Sequence, residues 1–366
     1  MKFSIEKEKI VDELQHLQGI VEKRNTMPIL ANILVEVSEK EINLTGTDLE
    51  VGLKSHFPAD IEQQGSITVS GKKLFEIVKS LKEKQKVEFK EGGDLLMEIK
   101  SGESEFKILC LPKEDFPQVP EPKFDKKINI PLNVFKEMTE RVYFAIAQEQ
   151  RYYLNGALMI LKNNSIHMVS TDGHRLAYTA KNIDKMNIEQ EIKVIISKKT
   201  LGELRKFDNE QLEFDLDENN LFFKVKNKTL ISRIIEGKFP NYEAVIPKDN
   251  PNIFLVSRDE IIDAIKRVAL LSTERSRGIK FFIEENQLRL FSSNPEIGEA
   301  KDKVYIDYSG QELEIGFNSQ YLLDFLNTAK SDKIRFELKD ENSAALVKPE
   351  VDDDIKYIYV LMPMKI

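Results

Sequence analysis

The sequence predicts an α+β protein made of three tandem repeats of one domain, each with two helices packed on an antiparallel sheet. Length is the first indication, because 366 residues exceed what a single hydrophobic core usually holds. Recurrence is the second: helix, polar turn, second helix and three short strands follow one another in the same order three times. Proline-rich stretches separate these repeats. We therefore place the domains at residues 1–122, 128–247 and 252–366.

The first repeat shows both kinds of apolar spacing. Ile10, Leu14 and Leu17 fall three and four residues apart, which predicts a helix over 10–21. A second helix is expected to begin after Ser70, since serine caps helix N-termini. Alternating or continuous apolar stretches predict strands at 29–37, 42–53, 87–89, 95–99 and 106–111. The prolines that follow the last strand predict an extended linker, because proline fixes φ.

The second and third repeats follow the same order. In the second repeat, a helix is expected over 134–146 and another after Ser197. In the third, Ser257-Arg258-Asp259-Glu260 has the form of a capping box before the first helix, and Asn318 precedes the second. The corresponding strands are expected at 157–161, 166–169, 212–214, 221–223, 230–235, 334–336 and 357–362.

Composition limits the classes of protein that fit. Apolar residues make up 41% of the chain and charged residues 32%, as in ordinary soluble domains, and no run of about 18 apolar residues predicts a membrane span. The N-terminus lacks the pattern of a secretory signal. Cys110 is the only cysteine, which excludes a disulfide framework and a multi-cysteine metal site. We expect a cytoplasmic protein without a metal or other cofactor.

Charge is distributed unevenly along the chain, although its net value is -8. Lysine and arginine collect on the second helix of the first two repeats, at 72–82 and 198–206, while acidic residues concentrate at 210–218 and 296–307. An acidic protein built in this way can present its helices to a polyanion, contacting phosphates rather than bases. A helix face that is merely solvated is the alternative.

Motifs for catalysis are missing from the sequence. It contains no Gly-Lys-Ser/Thr phosphate loop, no Gly-x-Gly-x-x-Gly and no His-Glu-x-x-His. Asp172 and His174 are the candidates for a base or a metal ligand in a hydrolase. Asp172-Gly173, however, is more typical of a turn between strands. We expect a protein that is not an enzyme, with a DNA-modifying hydrolase and a scaffold without a DNA partner as the alternatives.

Four stretches of sequence carry a resemblance to a known family. They are Arg151-Tyr152-Tyr153-Leu154-Asn155-Gly156, Thr171-Asp172-Gly173-His174-Arg175-Leu176, Phe239-Pro240-Asn241-Tyr242 and Tyr359-Val360-Leu361-Met362-Pro363-Met364-Lys365-Ile366. Along its whole length the chain resembles the bacterial DNA sliding clamps, the beta subunits of DNA polymerase III. The resemblance implies three DNA-clamp domains that close as a ring-shaped head-to-tail homodimer around duplex DNA. Such a ring is a processivity factor that tethers the replicative polymerase and performs no reaction.

The resemblance also implies site residues. Those expected to contact double-stranded or primed DNA are Arg24, Gln148, Tyr152 and Tyr153. Those expected to form a pocket for partner peptides are Leu154, Thr171, Gly173, His174, Arg175, Leu176, Pro240, Val245, Asn318, Tyr321, Val360, Met362, Pro363 and Met364. Those expected at the dimer interface are Phe106, Ile108, Leu270 and Leu271, with a strand near 300–306 pairing across it.

The implied partners share one mode of binding, a short linear motif placed in the pocket. They are the DNA polymerase III alpha subunit, the clamp-loader complex, other polymerases and repair proteins, with no membrane partner. The C-terminus departs slightly from the family pattern at Leu361, Lys365 and Ile366, which are conservative variants of the common ending. We expect these differences to change the affinity for particular peptides, while the implied pocket itself is preserved.

Overall fold

The fold is given by a computed structural model, which describes residues 1–21, 27–93, 95–148, 152–184, 186, 188, 190–273 and 276–366. The described residues form these α-helices: α1 (Lys7–Leu17), α2 (Gly71–Ser80), α3 (Leu132–Tyr143), α4 (Lys198–Leu204), α5 (Arg258–Ala269) and α6 (Ser319–Thr328). None of these helices has the length and apolar character needed to cross a bilayer.

The strands are short and numerous. In chain order they are β1 (Lys2–Glu6), β2 (Asn32–Val37), β3 (Ile42–Thr47), β4 (Val51–Phe57), β5 (Asp60–Gln63), β6 (Gly65–Ser70), β7 (Lys86–Gly92), β8 (Leu96–Ser101), β9 (Ser104–Leu111), β10 (Ile128–Pro131), β11 (Gly156–Lys162), β12 (Ser165–Thr171), β13 (Arg175–Asn182), β14 (Ile192–Ser197), β15 (Gln211–Leu216), β16 (Asn220–Val225), β17 (Lys228–Arg233), β18 (Asn252–Ser257), β19 (Gly278–Glu284), β20 (Gln287–Asn294), β21 (Gly298–Tyr305), β22 (Leu313–Asn318), β23 (Lys333–Leu338), β24 (Ala345–Pro349) and β25 (Lys356–Leu361).

The chain divides into two compact units, Met1–Val134 with Lys199–Ile234 and Phe135–Lys198 with Ile235–Ile366. The first unit contains a 13-stranded sheet in the order β10-β15-β16-β17-β4-β3-β2-β6-β9-β8-β7-β1-β5. Within it, β17 pairs antiparallel with β4, placing Leu230 opposite Leu53. Strands of two different repeats therefore share one sheet.

The second unit contains two sheets. The larger has eight strands in the order β14-β11-β12-β13-β25-β24-β23-β18, and the smaller has four in the order β21-β20-β19-β22. In the larger sheet, β13 pairs antiparallel with β25, so that Leu176 lies opposite Val360. The Phe325 ring of α6 stacks on Tyr359 of β25 with 5.0 Å between centroids. The central and third repeats are thus joined here by main-chain hydrogen bonds between β13 and β25, and by an edge-to-face contact between the rings of Phe144 and Tyr359, whose centroids lie 5.7 Å apart.

The predicted three-repeat α+β fold is confirmed. Each repeat contributes two helices, and the strand pairs of the described sheets are antiparallel. The chain forms two compact units rather than three because the central repeat is divided between them: its strands β10, β15, β16 and β17 belong to the first sheet, whereas β11 to β14 belong to the second unit. The repeats are consecutive in the sequence, and their sheets are not separate.

Local signals at the helix ends were mostly correct. Ser70 accepts a hydrogen bond from the Lys73 N–H, and Asn318 accepts bonds from the Gln320 and Tyr321 N–H groups at 2.9 and 3.2 Å. The capping box at Ser257 is wrong, because its side chain makes no capping bond; the Arg258 N–H instead donates to the Asp332 carbonyl at 2.8 Å. That bond satisfies the first N–H group of the helix, whereas a side-chain cap would serve the second or third.

Two element boundaries also differ from the prediction. Helix α1 ends at Leu17 rather than 21, since a hydrogen-bonded turn follows in which the Ile20 N–H donates to the Leu17 carbonyl. The last strand, β25, ends at Leu361, and Met362 lies beyond it. The C-terminal residues that follow β25 are therefore available to shape a site.

Candidate functional site

A tight turn between β12 and β13 is the centre of the candidate site. Asp172 accepts hydrogen bonds from the His174 and Arg175 N–H groups, each at 3.0 Å, and the Thr171 hydroxyl donates to the Arg175 carbonyl at 2.6 Å. Gly173 has a φ of 90°, a conformation that favours glycine. The predicted turn at Asp172-Gly173 is confirmed, and it presents Gly173 and His174 to solvent.

The same turn occurs in the first unit, between β3 and β4. Asp48 there accepts hydrogen bonds from the Glu50 and Val51 N–H groups at 2.9 and 2.6 Å, and the Thr47 hydroxyl donates to the Val51 carbonyl. Leu49 occupies the position of Gly173 with a φ of 77°. The repeated Thr-Asp pattern of the sequence therefore encodes a repeated local structure.

Arg175 is the most firmly held side chain of the site. Its guanidinium donates to Asp172 at 2.9 Å, to Asp324 at 2.6 Å and to the Phe144 carbonyl at 2.7 Å. Its planar face lies 4.1 Å from the centre of the Tyr321 ring. A fork of fixed donors stacked on an aromatic ring is geometry that arginine provides and lysine does not. Arg175 thus ties the turn to α6.

An apolar cluster forms the floor beside this turn. Leu154, Leu176 and Val360 are buried in it, together with Phe239 from the linker after the central repeat. Its remaining buried members are Ala147, Leu158, Ile160, Val169, Ile195 and Leu346, and the partly buried side chains packed against it are Tyr153, Tyr178, Ile235, Tyr242, Ile246, Ala344 and Ile358. The cluster contains residues of the central repeat, of the linker and of the third repeat.

The rim above the floor is formed by the linker and the C-terminal tail. Val245 is 46% exposed and Met362 is 41% exposed, and Pro240 is also exposed. The tail is fixed by main-chain bonds, since the Met362 N–H donates to the His174 carbonyl and the Met364 N–H donates to the Gly316 carbonyl, both at 2.9 Å. We call this arrangement, with the turn, floor and rim just described, the groove.

The predicted pocket residues occupy different positions in the groove and have different roles there. Leu154, Leu176 and Val360 form the floor, while Thr171 and Arg175 hold the turn together. The exposed members stand at the rim: Gly173, His174, Pro240, Val245 and Met362. Asn318 has a structural part, because its amide caps α6 and donates to the Ser276 carbonyl at 3.3 Å; Tyr321, Pro363 and Met364 are half-buried.

Several contacts that support the groove gave no sequence signal. Asp324 holds Arg175, yet it is an ordinary acidic residue on the polar side of a helix. Tyr178 and Tyr242 stack on each other with ring centroids 5.8 Å apart, although they lie 64 residues apart in the sequence. Such partners become visible only when the strands and the linker are placed in space.

The basic helix faces expected from the sequence are partly used within the protein. Lys199 forms an ion pair with Asp48, and Lys206 bonds to Glu203 at 2.7 Å. Lys198 donates to the Ile146 carbonyl at 3.3 Å, and burial, assisted by the nearby Arg175 charge, lowers the pKa of its ammonium group. Lys72 and Lys73 remain exposed beside Glu76. Three of the lysines over 198–206 thus have partners within the chain, and whether this face contacts a polyanion stays a prediction.

The residues expected to contact DNA are only partly described. Gln148 is exposed. Tyr153 is half-buried, packs against the apolar cluster and approaches Gly237. Arg24 and the side chain of Tyr152 lie outside the described residues, although Tyr152 begins a short 3-10 helix, Tyr152–Leu154.

The residues expected at the dimer interface lie on a strand of the first unit and directly after a helix of the second unit. Phe106 and Ile108 are half-buried on β9, and Leu270 follows α5 with 77% of its surface exposed, next to the half-buried Leu271. Two further apolar residues that the sequence did not single out are exposed: Leu109, on β9 itself, at 79%, and Tyr305, on β21, at 73%. Strand β21, which carries Tyr305, is the edge of the four-stranded sheet.

Hydrolytic chemistry has little support at the turn. Both oxygens of Asp172 accept bonds from the turn N–H groups or from Arg175, which is a structural use of the carboxylate. Across the described ranges, no group of three or more histidine, cysteine, aspartate or glutamate side chains is placed to hold a metal ion. The groove has the apolar floor and the few fixed polar groups that are typical of ligand binding.

The repeat architecture and the groove place this chain in a class of proteins, those in which three similar α+β domains follow one another in one chain. Family models agree on which one: the N-terminal, central and C-terminal domains of the DNA polymerase III beta subunit match residues 1–120, 129–241 and 243–365. The chain therefore belongs to the DNA polymerase III beta subunit family, whose members are the beta sliding clamps. Its function is that of a sliding clamp in DNA replication, a processivity factor and not an enzyme.

Individual relatives agree along the full length. The beta sliding clamp of Pseudomonas putida is 38% identical over 373 residues, covering 100% of both chains. The crystal structure of the DNA polymerase III subunit beta from Pseudomonas aeruginosa is 35% identical, with a TM-score of 0.95 and 100% coverage of both chains. A DnaN sliding clamp from Bartonella birtlesii bound to griselimycin is 33% identical, with a TM-score of 0.94 and the same coverage.

Proposed function

We propose that two copies of this chain close head to tail into a ring around duplex DNA, and that the groove holds replication and repair proteins by short peptide segments. Family membership carries this proposal, and the domain bounds that accompany it are 1–122, 128–247 and 252–366. The partners are the DNA polymerase III alpha subunit, the clamp-loader complex, other polymerases and repair proteins. The ring acts in the cytoplasm, where a bacterial chromosome is replicated.

Exposed apolar side chains at strand and helix ends support the ring. Leu109 on β9 and Leu270 after α5 would each be covered by the partner protomer, and fully burying such a side chain contributes roughly 1.5–3 kcal/mol. Among the described strands, β21 is paired on one side only, so a strand of the partner can pair with its other side. Because the two contact surfaces differ, the contact is heterologous, and a rotation that closes gives a ring instead of a fibre.

Charge near these strands is consistent with an ordered contact. Lys107 on β9 pairs with Glu98 at 2.9 Å, and Lys301 on β21 pairs with Glu299 at 3.0 Å. Both pairs are formed within one protomer and are exposed to solvent, so they contribute little to the stability of the dimer. The apolar residues supply most of the affinity.

The groove supports peptide binding through three properties. Its floor is apolar, its turn is held rigidly by Arg175, and its rim includes Met362, an unbranched side chain that repacks around different ligands. A rigid floor reduces the ordering cost of binding, while an adaptable rim admits several partners. A relative, the sliding clamp of Bartonella birtlesii, binds griselimycin, which supports the proposal that this protein also binds a ligand.

DNA contacts in the ring are proposed to be weak and to involve phosphates. Arg24, Gln148, Tyr152 and Tyr153 are the residues proposed from the family resemblance, and the exposed Lys73 adds positive charge. Phosphate contacts carry no sequence information, so they allow the ring to slide. Retention would then depend on the closed ring.

Retention on circular DNA tests the proposal. The protein is loaded onto a nicked circle with a clamp loader and ATP, free protein is removed, and the circle is then cut. Loss of the protein upon cutting is expected, because the ring slides off the ends. Retention on the linear product would contradict encirclement. The Leu270→Asp variant serves as the control, since a protein that cannot close should not be retained even on the uncut circle.

A further inference from the structure

A series of polar and aromatic contacts lies beneath one side of the groove, the linker segment that carries Pro240 and Val245, which we call the linker wall. The Ser165 hydroxyl lies 3.1 Å from His167 Nε2, and His167 Nδ1 lies 2.8 Å from the Tyr178 hydroxyl. The Tyr178 ring in turn stacks on Tyr242 of the linker, with centroids 5.8 Å apart and 22° between the planes. None of these four residues belongs to the pocket that the family resemblance implies.

The register of the sheet explains why His167 meets Tyr178. Strands β12 and β13 pair antiparallel with His167 opposite Ala180, so Tyr178 is its diagonal neighbour on the same face. Diagonal neighbours in a sheet are within reach when their side chains are long or aromatic. The contact is therefore a property of the strand pair itself, and it does not depend on the linker above.

Protonation decides the direction of these hydrogen bonds. Burial lowers the pKa of His167, with the Lys162 charge assisting, so the ring is neutral at pH 7. A neutral imidazole has one donor and one acceptor nitrogen. Burial also raises the pKa of Tyr178, which keeps its proton. The Tyr178 hydroxyl can then donate to Nδ1 of His167, while Nε2–H donates to Ser165.

Tyr242 links this chain to the rim of the groove. It begins a short 3-10 helix, Tyr242–Ala244, and its carbonyl accepts the Val245 N–H at 3.1 Å. Both tyrosines pack against the apolar cluster that contains Leu176 and Val360. A shift of the Tyr242 ring would therefore move the rim residue Val245 relative to the floor.

We propose that His167 is a positioning residue for the groove: it fixes the Tyr178 ring on which Tyr242 stacks, and so sets the placement of the linker wall that carries Pro240 and Val245. This inference rests on the proposed peptide-binding function of the groove. It adds a residue that touches no ligand but determines how tightly an apolar ligand is held.

Griselimycin is the probe for a calorimetric binding experiment, since it occupies a related clamp. His167→Leu removes the acceptor for Tyr178, and we expect about threefold to tenfold weaker binding, the effect of one net hydrogen bond. His167→Asn places an amide near the position of Nδ1 and should restore most of the affinity. Tyr178→Phe keeps the stacked ring and removes the hydroxyl, and it should match His167→Leu. The double variant should be no weaker than either single one.

Two controls separate positioning from general damage. His56→Leu makes the same chemical change at an exposed histidine of the first unit, and its affinity should equal that of the unchanged protein. If His167→Leu does not fold, as judged by its melting temperature, Tyr178→Phe carries the test alone. The pH profile is the third readout: affinity should fall as the pH drops through the lowered pKa of His167, since a protonated Nδ1 no longer accepts from Tyr178, and the His167→Asn variant should lack this fall.

The charged groups that influence His167 must be considered in that profile. Lys162 and Lys356 lower its pKa, whereas Glu191 and Glu243 raise it. If the unchanged protein fails to bind griselimycin, both the groove assignment and this inference are wrong. If it binds and His167→Leu binds equally well, only the positioning role is refuted. An additive double variant would also refute it, because the two residues would then act independently.

Discussion

Replacing Gly316 by alanine should detach the C-terminal tail from the groove. A Cβ at Gly316 would lie 2.3 Å from the Met364 carbonyl oxygen and 2.8 Å from Cδ1 of Ile366. Ordinary carbon contacts are about 3.5 Å, so the tail has to retreat by roughly 1 Å. The hydrogen bond from the Met364 N–H to the Gly316 carbonyl, 2.9 Å long, would then exceed the normal range.

The size of the effect follows from what the tail loses. One hydrogen bond contributes about 0.5–1.5 kcal/mol net. Ile366 is already 47% exposed, so losing its remaining contact costs on the order of 1 kcal/mol more. Because the segment is terminal, it can separate without unfolding the sheet beneath it. We therefore expect a small change in the melting temperature but about tenfold weaker griselimycin binding, since Pro363 and Met364 move with the tail while Met362 is still held by the His174 carbonyl.

Calorimetric titration with griselimycin and a thermal melt measure the two quantities on the same sample. Gly93→Ala is the matched control, because a Cβ there has no heavy atom within 4 Å, and both quantities should remain unchanged. Griselimycin binding within twofold of the unchanged protein would show that the tail is not part of the groove. A large fall in melting temperature would instead show that the tail holds the sheet together.

Three further predictions concern stability and assembly. Arg175→Ala leaves Asp172 and Asp324 without their common partner and should cost about 3–5 kcal/mol in urea denaturation; a loss below about 1 kcal/mol would refute the anchoring role. Leu109→Asp and Leu270→Asp should each give a monomer mass in light scattering, whereas Val351→Asp, at a site 70% exposed, should leave the dimer intact. Burial alone would raise the pKa of Asp353, but hydrogen bonds from Arg141 and the Ile355 N–H hold that pKa below its ordinary 3.8. The stability from this lowered pKa is present above about pH 4 and lost as pH falls through the folded-state pKa, so Asp353→Asn should flatten the acid side of the stability curve.

Local elements were predictable because their causes lie within a few residues. Ser70 and Asn318 satisfy N–H groups that are their near neighbours in the chain, and the Thr-Asp turn is held by bonds spanning two to four residues. The prediction at Ser257 was wrong, since its side chain makes no capping bond. The bond from the Arg258 N–H to the Asp332 carbonyl does not explain this, because the Ser319 N–H is bonded to the Arg277 carbonyl in the same way beside the intact cap at Asn318.

The site itself was predictable through the family resemblance more than through residue chemistry. The resemblance selected Leu154, Leu176 and Val360, which the structure places in one buried cluster. It also selected Tyr153 for DNA, and the structure packs that ring against the same cluster. Asp324 escaped notice because no pattern distinguishes the partner of a buried arginine from any other surface carboxylate.

The sequence by itself determined the three repeats, the caps at Ser70 and Asn318, the turn at Asp172-Gly173 and the family, since each depends on the spacing of residues or on short stretches of sequence. Tertiary structure alone decided that strands of neighbouring repeats share sheets, that Arg175 reaches Asp324, and that the tail lies over Gly316. These contacts join residues far apart in the chain. Their energies depend on distances of a few ångströms, which the order of residues does not specify until the sheets have formed.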